Sequence, residues 1–134
     1  GGSYQFVQKY IHDMTAWNAL PVAEQEKVIG RSKHDDIEMS EDEKPANSHS
    51  AIANIGDDFK VIRDNMPFGT VGNNELGTYF ICYASTFSTV RKMLKNMFMG
   101  VDGANYDRLL DFSTAVTGTL FFVPTVDMLG DFAG

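Results

Sequence analysis

The sequence predicts one α+β domain over its 134 residues, built on an antiparallel sheet with helices against one face. Two observations lead to this class. Segments with the two-residue alternation of strands are separated by segments with the spacing of amphipathic helices. These segments follow the order strand, helix, strand, strand, helix, strand, and the two consecutive central strands indicate a hairpin. The length is sufficient for one hydrophobic core.

The first strand and the first helices follow from periodicity and from capping residues. Residues 4–12 are predicted as a strand that is covered on both sides, because large apolar or aromatic residues fall on both of its faces. A short helix follows, with Asp13 or Thr15 as its cap. A second helix is predicted over residues 22–29 and ends at Gly30. Residues 31–47 form an acidic loop that is long for a connection in a compact domain, and such loops are often functional.

The central hairpin is predicted from two alternating segments, residues 59–65 and 78–84. Proline, glycine and asparagine between them, at residues 66–69 and 72–74, are typical of turns, so we expect a wide loop there. The first of these strands is expected to be buried, because it carries several large apolar residues.

The clearest helix lies after this hairpin. Ser85 or Thr86 is its expected cap, and Gly100 its expected end. Residues 108–112 are predicted as one helical turn, and residues 119–123 as the last strand. The apolar positions of the helix recur at helical spacing: Phe87, Val90, Leu94, Met97 and Phe98.

This order of elements is the βαββαβ pattern of a ferredoxin-like sandwich. Both helices are expected on one face of the antiparallel sheet. The other face carries Phe and Val residues and therefore needs a cover, which could be a ligand, a second domain or a partner subunit.

Composition excludes several classes of function. The net charge is −7, which argues against nucleic acid or an anionic membrane as partner. The longest apolar runs are far too short to span a bilayer, and no signal-peptide pattern is visible. Cys82 is the only cysteine and forms no internal disulfide, which favours a reducing compartment and a cytoplasmic location. The chain opens directly into a strand pattern, as a piece of a longer protein would.

His49 and Arg63 are the two side chains that point most clearly to chemistry. His49 stands among small residues that leave space beside its imidazole, so it is either a cofactor ligand or a surface histidine. Arg63 and Asn65 share one strand face with apolar residues. A buried arginine needs an anionic or polar partner. That partner is either a carboxylate, such as Asp107 or Asp111, or a bound anion or oxygen ligand.

Two acidic features allow a structural and a functional interpretation. Asp111 is either a turn cap or a carboxylate that orients a liganding histidine. The acidic residues between Asp35 and Glu43 do not have the spacing of an EF-hand loop, so a solvated loop is favoured over a cation site.

Six blocks of this sequence, in the same order, resemble the C-terminal half of dye-decolorizing (DyP-type) heme peroxidases. The resemblance covers essentially the whole chain and is closest to the bacterial class that includes cytosolic and encapsulin-packaged enzymes. The blocks are residues 1–8 (GGSYQFVQ), 28–31 (VIGR), 44–49 (KPANSH), 62–69 (IRDNMPFG), 77–80 (GTYF) and 106–114 (YDRLLDFST).

The resemblance implies a role for each matching residue. His49 matches the proximal histidine that binds the iron of heme b (iron protoporphyrin IX). Arg63 matches the distal arginine over the peroxide site, and Asn65 its polar neighbour. Asp111 matches the acidic residue that accepts a hydrogen bond from the proximal histidine. Three further side chains are expected around the heme: Phe80 and Cys82 as pocket lining, and Arg31 at a propionate.

The resemblance also implies partners. Hydrogen peroxide would be the oxidant, and dyes, phenols or similar one-electron donors the reductants. The distal aspartate of the family lies in a Gly-x-x-Asp-Gly motif just before the matching segment, and this chain has no such motif. An N-terminal half is therefore an expected partner, and a homo-oligomer and packaging as encapsulin cargo are further expectations, although no clear docking tail is visible. The alternatives are a heme-free ferredoxin-like dimerisation module and a heme carrier.

Overall fold

The computed structural model describes residues 1–56, 58–70, 72 and 75–133. Ten regular elements and one 3₁₀ turn, Arg108–Asp111, make up this part of the chain. The strands are β1 Ser3–His12, β2 Val61–Thr70, β3 Glu75–Ala84, β4 Ser113–Ala115 and β5 Thr119–Val123. The helices are α1 Met14–Ala19, α2 Val22–Ile29, α3 His49–Ala53, α4 Phe87–Met99 and α5 Val126–Ala133.

The strands form one antiparallel sheet in the order β2, β3, β1, β4. Strands β4 and β5 both pair with β1, one after the other along its length. Strand β4 pairs with residues 10–12 of β1, and β5 pairs with residues 3–7. An antiparallel sheet with helices is the architecture expected of the α+β class, and the ferredoxin-like prediction is confirmed.

The register of the three central strands decides which side chains share a face. Phe6 of β1 pairs with Cys82 of β3, and Cys82 pairs with Arg63 of β2. Two residues along, Phe80 pairs with Asn65. Because strand side chains alternate, Arg63 and Asn65 lie on the same sheet face as the core residues Phe6 and Cys82.

The core lies between this face and helices α3 and α4. Helix α4 is amphipathic and turns Val90, Met93 and Met97 towards the sheet, where they are at most 6% exposed. The opposite sheet face is open, and four of its large side chains are between 39% and 75% exposed. The buried cluster consists of Phe6, Ile52, Cys82, Ala84, Val90, Met93 and Met97. The open face carries Ile62, Met66, Tyr79 and Tyr83.

Strand β2 differs from its prediction in length and in burial. It continues through residues 66–69, which were predicted as a turn. Pro67 is compatible with the strand because β2 is an edge strand, where a missing N–H costs no ladder hydrogen bond on the open side. Strand β2 is mostly exposed and not buried as expected, since Ile62 and Met66 lie on the open face of the sheet. Asn73 and Asn74 of the predicted turn lie outside the described residues.

The helix starts were predicted with mixed success. Asp13 caps α1 as expected, with its Oδ1 accepting from the Ala16 N–H at 2.9 Å. Thr86 occupies the N-cap position of α4, but its hydroxyl bonds to the Ser88 and Thr89 hydroxyls and not to the helix backbone. Helices α3 and α5 and strand β4 were not predicted, because each is short or lacks a distinct period.

None of the helices in the described part of the chain combines the length and the apolar character that a membrane crossing requires.

Candidate functional site

His49 is the first residue of helix α3, and the local sequence fixes its position. Ser48 precedes it as N-cap, fully buried, and its hydroxyl oxygen accepts from the Ala51 N–H at 3.4 Å. The small residues beside His49 therefore cap helix α3 and allow close packing at its start. The His49 side chain is 33% exposed, so one part of the imidazole faces open space.

Gly30 allows the end of helix α2 to approach this histidine turn closely. Its φ angle is +84°, which is the left-handed region that favours glycine. A Cβ atom at Gly30 would lie 2.1 Å from the Ser50 hydroxyl oxygen and 2.8 Å from that of Ser48. The backbone of α2 thus packs directly on both neighbours of His49.

Asp107 is fully buried and binds the imidazole from the protein side. Its Oδ2 lies 2.6 Å from His49 Nδ1, and its Oδ1 accepts from the Leu109 N–H at 2.9 Å. Two backbone hydrogen bonds hold the segment in place. The Asp107 N–H donates to the Met97 carbonyl at 2.8 Å, and the Arg108 N–H donates to the Asn47 carbonyl at 2.9 Å.

This pairing decides which nitrogen of His49 is available to a ligand. With Nδ1 bonded to a buried carboxylate, Nε2 is the nitrogen left for coordination. Liganding histidines in proteins use such a carboxylate to fix the ring orientation and to raise the basicity of the ligand nitrogen. In the same way, Asp107 fixes the ring orientation of His49 and leaves Nε2 without a carboxylate partner.

The prediction that Asp111 accepts this hydrogen bond is wrong. Asp111 lies at the far end of the 3₁₀ turn, is exposed, and accepts from the Tyr106 hydroxyl at 2.7 Å. This hydrogen bond, together with the charge of Asp111, raises the pKa of the Tyr106 phenol. Asp107 occupies the buried N-cap position of that turn, and only this end faces His49.

A cavity of about 510 Å³ opens beside the imidazole. Its volume lies within the range of about 300–1,000 Å³ that is usual for cofactor sites. The cavity brings together five residues singled out in the sequence, Arg31, His49, Arg63, Asn65 and Phe80. Cys82 does not line it: its thiol is buried in the core, and burial raises the pKa of that thiol.

Arg63 has no carboxylate partner among the described residues. Its Nη1 donates to the Ala53 carbonyl at 3.1 Å and lies 3.8 Å from the Met93 sulfur. The salt bridge to Asp107 or Asp111 considered in the sequence analysis does not form, since those carboxylates bond to His49 and Tyr106. The guanidinium is therefore held at the cavity wall by a neutral carbonyl, with its charge uncompensated there.

Ion pairs organise the acidic loop at the cavity rim. Arg31 Nε lies 2.8 Å from an Asp36 carboxylate oxygen, and Lys44 Nζ lies 2.8 Å from carboxylate oxygens of Glu38 and Glu41. Lys44 lowers the pKa of Glu38, and its hydrogen bond to Glu38 raises the pKa of Lys44. In the described ranges no group of three or more acidic, histidine or cysteine side chains is arranged to hold a metal ion.

Comparison with known proteins identifies the family. The family model described as "Dyp-type peroxidase, C-terminal" matches residues 1–128. The chain belongs to the DyP-type peroxidase family, as its C-terminal half.

Relatives of this DyP-type chain are similar over nearly all of it. Dye-decolorizing peroxidases of Rhodococcus erythropolis and Mycobacterium tuberculosis are 59% and 57% identical over 98% and 96% of the chain. The chain covers 40% of each of these relatives, so it spans well under half of their length.

Solved structures give the same result for the DyP-type fold. A dye-decolorizing peroxidase from Bacteroides thetaiotaomicron superimposes with a TM-score of 0.95 at 66% identity, over 99% of this chain and 43% of that one. A DypB variant from Rhodococcus jostii in complex with heme gives 0.90 at 54% identity, over 96% and 43%. The encapsulated DyP-type peroxidase from Mycobacterium smegmatis gives 0.92 at 58% identity, over 98% and 44%.

Tyr10 is a cavity residue of this DyP-type chain that sequence reasoning missed. It is buried, and its hydroxyl donates to the Gln8 side-chain carbonyl. Burial and the nearby charge of Asp107 raise the pKa of the phenol, so it stays neutral. The signal in the sequence was two polar side chains, Gln8 and Tyr10, at inward-facing positions of a strand.

Proposed function

We propose that this chain is the heme-binding C-terminal half of a peroxidase that uses hydrogen peroxide to oxidise dyes, phenols or similar one-electron donors. The observation that carries the proposal is the pair formed by His49 and the buried Asp107 at the wall of the 510 Å³ cavity. Family membership and a relative that binds heme support it.

The residues present fit a heme group. His49 offers Nε2, because Nδ1 is bonded to Asp107. The side chains of Phe80, Met93 and Met97 line the same cavity and suit the flat apolar ring. Arg31 also lines it and is a cation of the kind that pairs with carboxylates such as heme propionates.

Asp107 is proposed to set the electronic character of the ligand. A carboxylate that accepts a hydrogen bond from Nδ1 makes Nε2 a stronger donor, and axial ligation of this kind tunes heme reactivity. Heme, when bound, supplies the cleavage of peroxide and the one-electron oxidation of the donor. Asp107 is suited to this task because it is fully buried, and its second oxygen is used by the Leu109 N–H.

Arg63 and Asn65 are proposed to act on peroxide. A guanidinium with no paired carboxylate attracts the hydroperoxide anion and stabilises negative charge as the O–O bond breaks. The Asn65 side chain offers an amide donor and an acceptor in the same cavity. A guanidinium offers no acceptor atom and an amide is a very weak base, so the proton of peroxide needs a further group. The aspartate of the family's Gly-x-x-Asp-Gly motif is the candidate.

The test is hemin titration of the chain within its full-length parent, followed by peroxide addition. The proposal predicts a Soret band that His49→Ala abolishes or strongly weakens, while His34→Ala, at an exposed position in the acidic loop, leaves it unchanged. Binding that is equally tight in both variants would overturn the ligand assignment.

A second candidate function is a heme-free dimerisation module. The open sheet face favours it, since Ile62 and Met66 are 75% and 54% exposed and stand beside Tyr79 and Tyr83. Light scattering together with an absorbance scan separates the two functions. A colourless dimer that takes up no hemin would favour the module; a chain that binds hemin stoichiometrically would exclude it. Product analysis separates a peroxidase from a heme carrier, which would release its heme or porphyrin and not oxidise a donor.

Packaging inside an encapsulin shell and a cytoplasmic location are further parts of the proposal. They rest on one similar structure, the encapsulated enzyme of Mycobacterium smegmatis. Co-purification of the full-length parent with a shell protein, tested by size-exclusion chromatography, checks this part separately from the heme chemistry.

A further inference from the structure

A separate cavity of about 230 Å³, here called the Trp17 cavity, lies where α1, α2 and the start of the acidic loop meet. Its walls include Trp17 and Ile29. Arg31 lines both this cavity and the one beside His49. The two cavities are thus neighbours that share one side chain, although the Trp17 cavity takes no part in the heme site described above.

The polar groups around the Trp17 cavity are already bonded to one another. Lys33 Nζ donates to the Gln25 side-chain oxygen at 2.8 Å, and the Lys33 N–H donates to a Glu26 carboxylate oxygen at 2.8 Å. Arg31 is paired with Asp36 at 2.8 Å. The two cationic and two anionic side chains in the wall cancel, so the cavity does not select for a charged ligand.

The size and the aromatic wall of the Trp17 cavity limit the kinds of ligand that it can bind. A volume of 230 Å³ lies below the range of about 300–1,000 Å³ that is usual for drug-sized ligands, so one ring fits better than a fused three-ring dye. Trp17 packs edge-to-face on Phe112, with ring centroids 5.4 Å apart, which fixes the indole in place. A fixed indole is a favourable surface for a second aromatic ring.

We propose that the Trp17 cavity is a subsite for an uncharged, single-ring aromatic reductant such as a phenol. The redox consequence rests on the proposed function. A phenol bound here would lose one electron to the oxidised heme group across Arg31, and its O–H proton to solvent, leaving as a phenoxyl radical. We therefore expect small phenols, and not sulfonated dyes, to be the electron donors that bind in the Trp17 cavity.

The test uses the intrinsic fluorescence of the chain, because Trp17 is its only tryptophan. With excitation at the red edge of indole absorption, phenol is expected to quench this emission saturably, at concentrations in the millimolar range for a ligand of about seven heavy atoms. Cyclohexanol, which has the same size but no aromatic ring, and benzenesulfonate, which is charged, are expected to bind at least about tenfold more weakly. Purely linear quenching by phenol, or equal binding of the three compounds, would overturn the proposal.

Two matched phenylalanine substitutions on α2 localise the binding. Ile29→Phe fills the Trp17 cavity and should weaken phenol binding at least about tenfold. Val22→Phe adds the same group at an exposed position of the same helix that does not line the cavity, and should have no effect. Since Ile29→Phe could disturb folding, amide chemical shifts of the unsubstituted chain give an independent readout. Shifts centred on Trp17, Ile29 and Lys33 support the subsite; shifts scattered over the surface contradict it.

This experiment needs no heme, so its failure is distinguishable from failure of the proposed function. A chain that binds hemin through His49 but shows no saturable phenol binding would refute the subsite alone. A chain that binds phenol at the Trp17 cavity but takes up hemin independently of His49 would refute the ligand assignment alone.

Discussion

His49 Nδ1 lies 2.6 Å from Asp107 Oδ2, although the two residues are 58 positions apart in the sequence. The contact joins the start of α3 to the turn after α4, and backbone hydrogen bonds at Asn47 and Met97 hold both segments. Since Asp107 is fully buried, its negative charge acts on the imidazole with little screening by solvent. This pair gives the candidate site its direction: one nitrogen faces the protein, and the other is free to bind a ligand.

Asp107→Asn is expected to weaken heme binding by about 10- to 100-fold, the usual effect of removing a carboxylate behind a liganding histidine. The amide keeps an oxygen for the Leu109 N–H, so the turn should persist. Hemin titration measures the change. Asp111→Asn is the matched control on the same turn and should leave the affinity unchanged, because Asp111 bonds to Tyr106. The reverse ranking of the two variants would restore Asp111 as the histidine partner.

Arg63→Ala is expected to leave heme bound and to slow its reaction with peroxide by about 10²- to 10³-fold, as found when one oxyanion donor is lost. Stopped-flow mixing with peroxide gives the rate, and the Soret absorbance gives the heme content. Arg91→Ala removes the same charge at an exposed position of α4 and serves as control. If both variants reacted at the unsubstituted rate, Arg63 would have no role in peroxide cleavage.

Gly30→Ala is expected to destabilise the chain by at least about 2 kcal/mol, which combines the left-handed backbone cost of roughly 1–2 kcal/mol with the crowding of Ser48 and Ser50. Gly56→Ala is the control: its φ is +89°, but no atom lies within 4 Å of the added Cβ. It should cost only the backbone term. Urea midpoints measure both changes. Equal losses of stability in the two variants would mean that Gly30 does not pack closely against Ser48 and Ser50.

The stability of the chain should contain a pH-dependent part that comes from His12. Its ring bonds to the Ser113 and Thr78 hydroxyls, each at 2.7 Å, and burial lowers its pKa from 6.5. The unfolded chain therefore binds this proton more readily, and the contribution of His12 falls as pH decreases from 6.5 through the lower folded pKa.

Urea midpoints measured across that pH window test the His12 contribution. His12→Gln should flatten the decrease in stability, whereas His34→Gln, exposed in the acidic loop, should leave it as steep as in the unsubstituted chain. A decrease that is equally steep in all three proteins would show that His12 does not contribute.

Periodicity predicted the elements that bury one face against the core. It was less successful where the position of a strand in the sheet determines its length and burial. Helix α4 and strand β1 follow from their spacing because each packs one side against the core. Residues 66–69 have turn composition yet lie in β2, because an edge strand tolerates proline and is exposed at little cost. The position of a strand at an edge is a property of the whole sheet and has no local signal.

The sequence predicted which residues line the candidate site, but it did not predict every hydrogen-bond partner within it. Arg63 and Asn65 were placed on one face by alternation alone, and the register confirms that placement. The sequence did not distinguish Asp107 from Asp111, since one precedes and the other ends the same four-residue turn. Only the folded turn buries one carboxylate and exposes the other. Capping preference gave a weak indication in favour of Asp107, because this residue precedes the turn and accepts a hydrogen bond from its backbone.

The most direct test of the account is the structure of the full-length parent solved with heme bound. The account predicts that His49 Nε2 is on the iron, that Asp107 remains bonded to Nδ1, and that Arg63 faces the opposite side of the ring. An iron bound by another residue, with His49 turned away from the cavity, would contradict it.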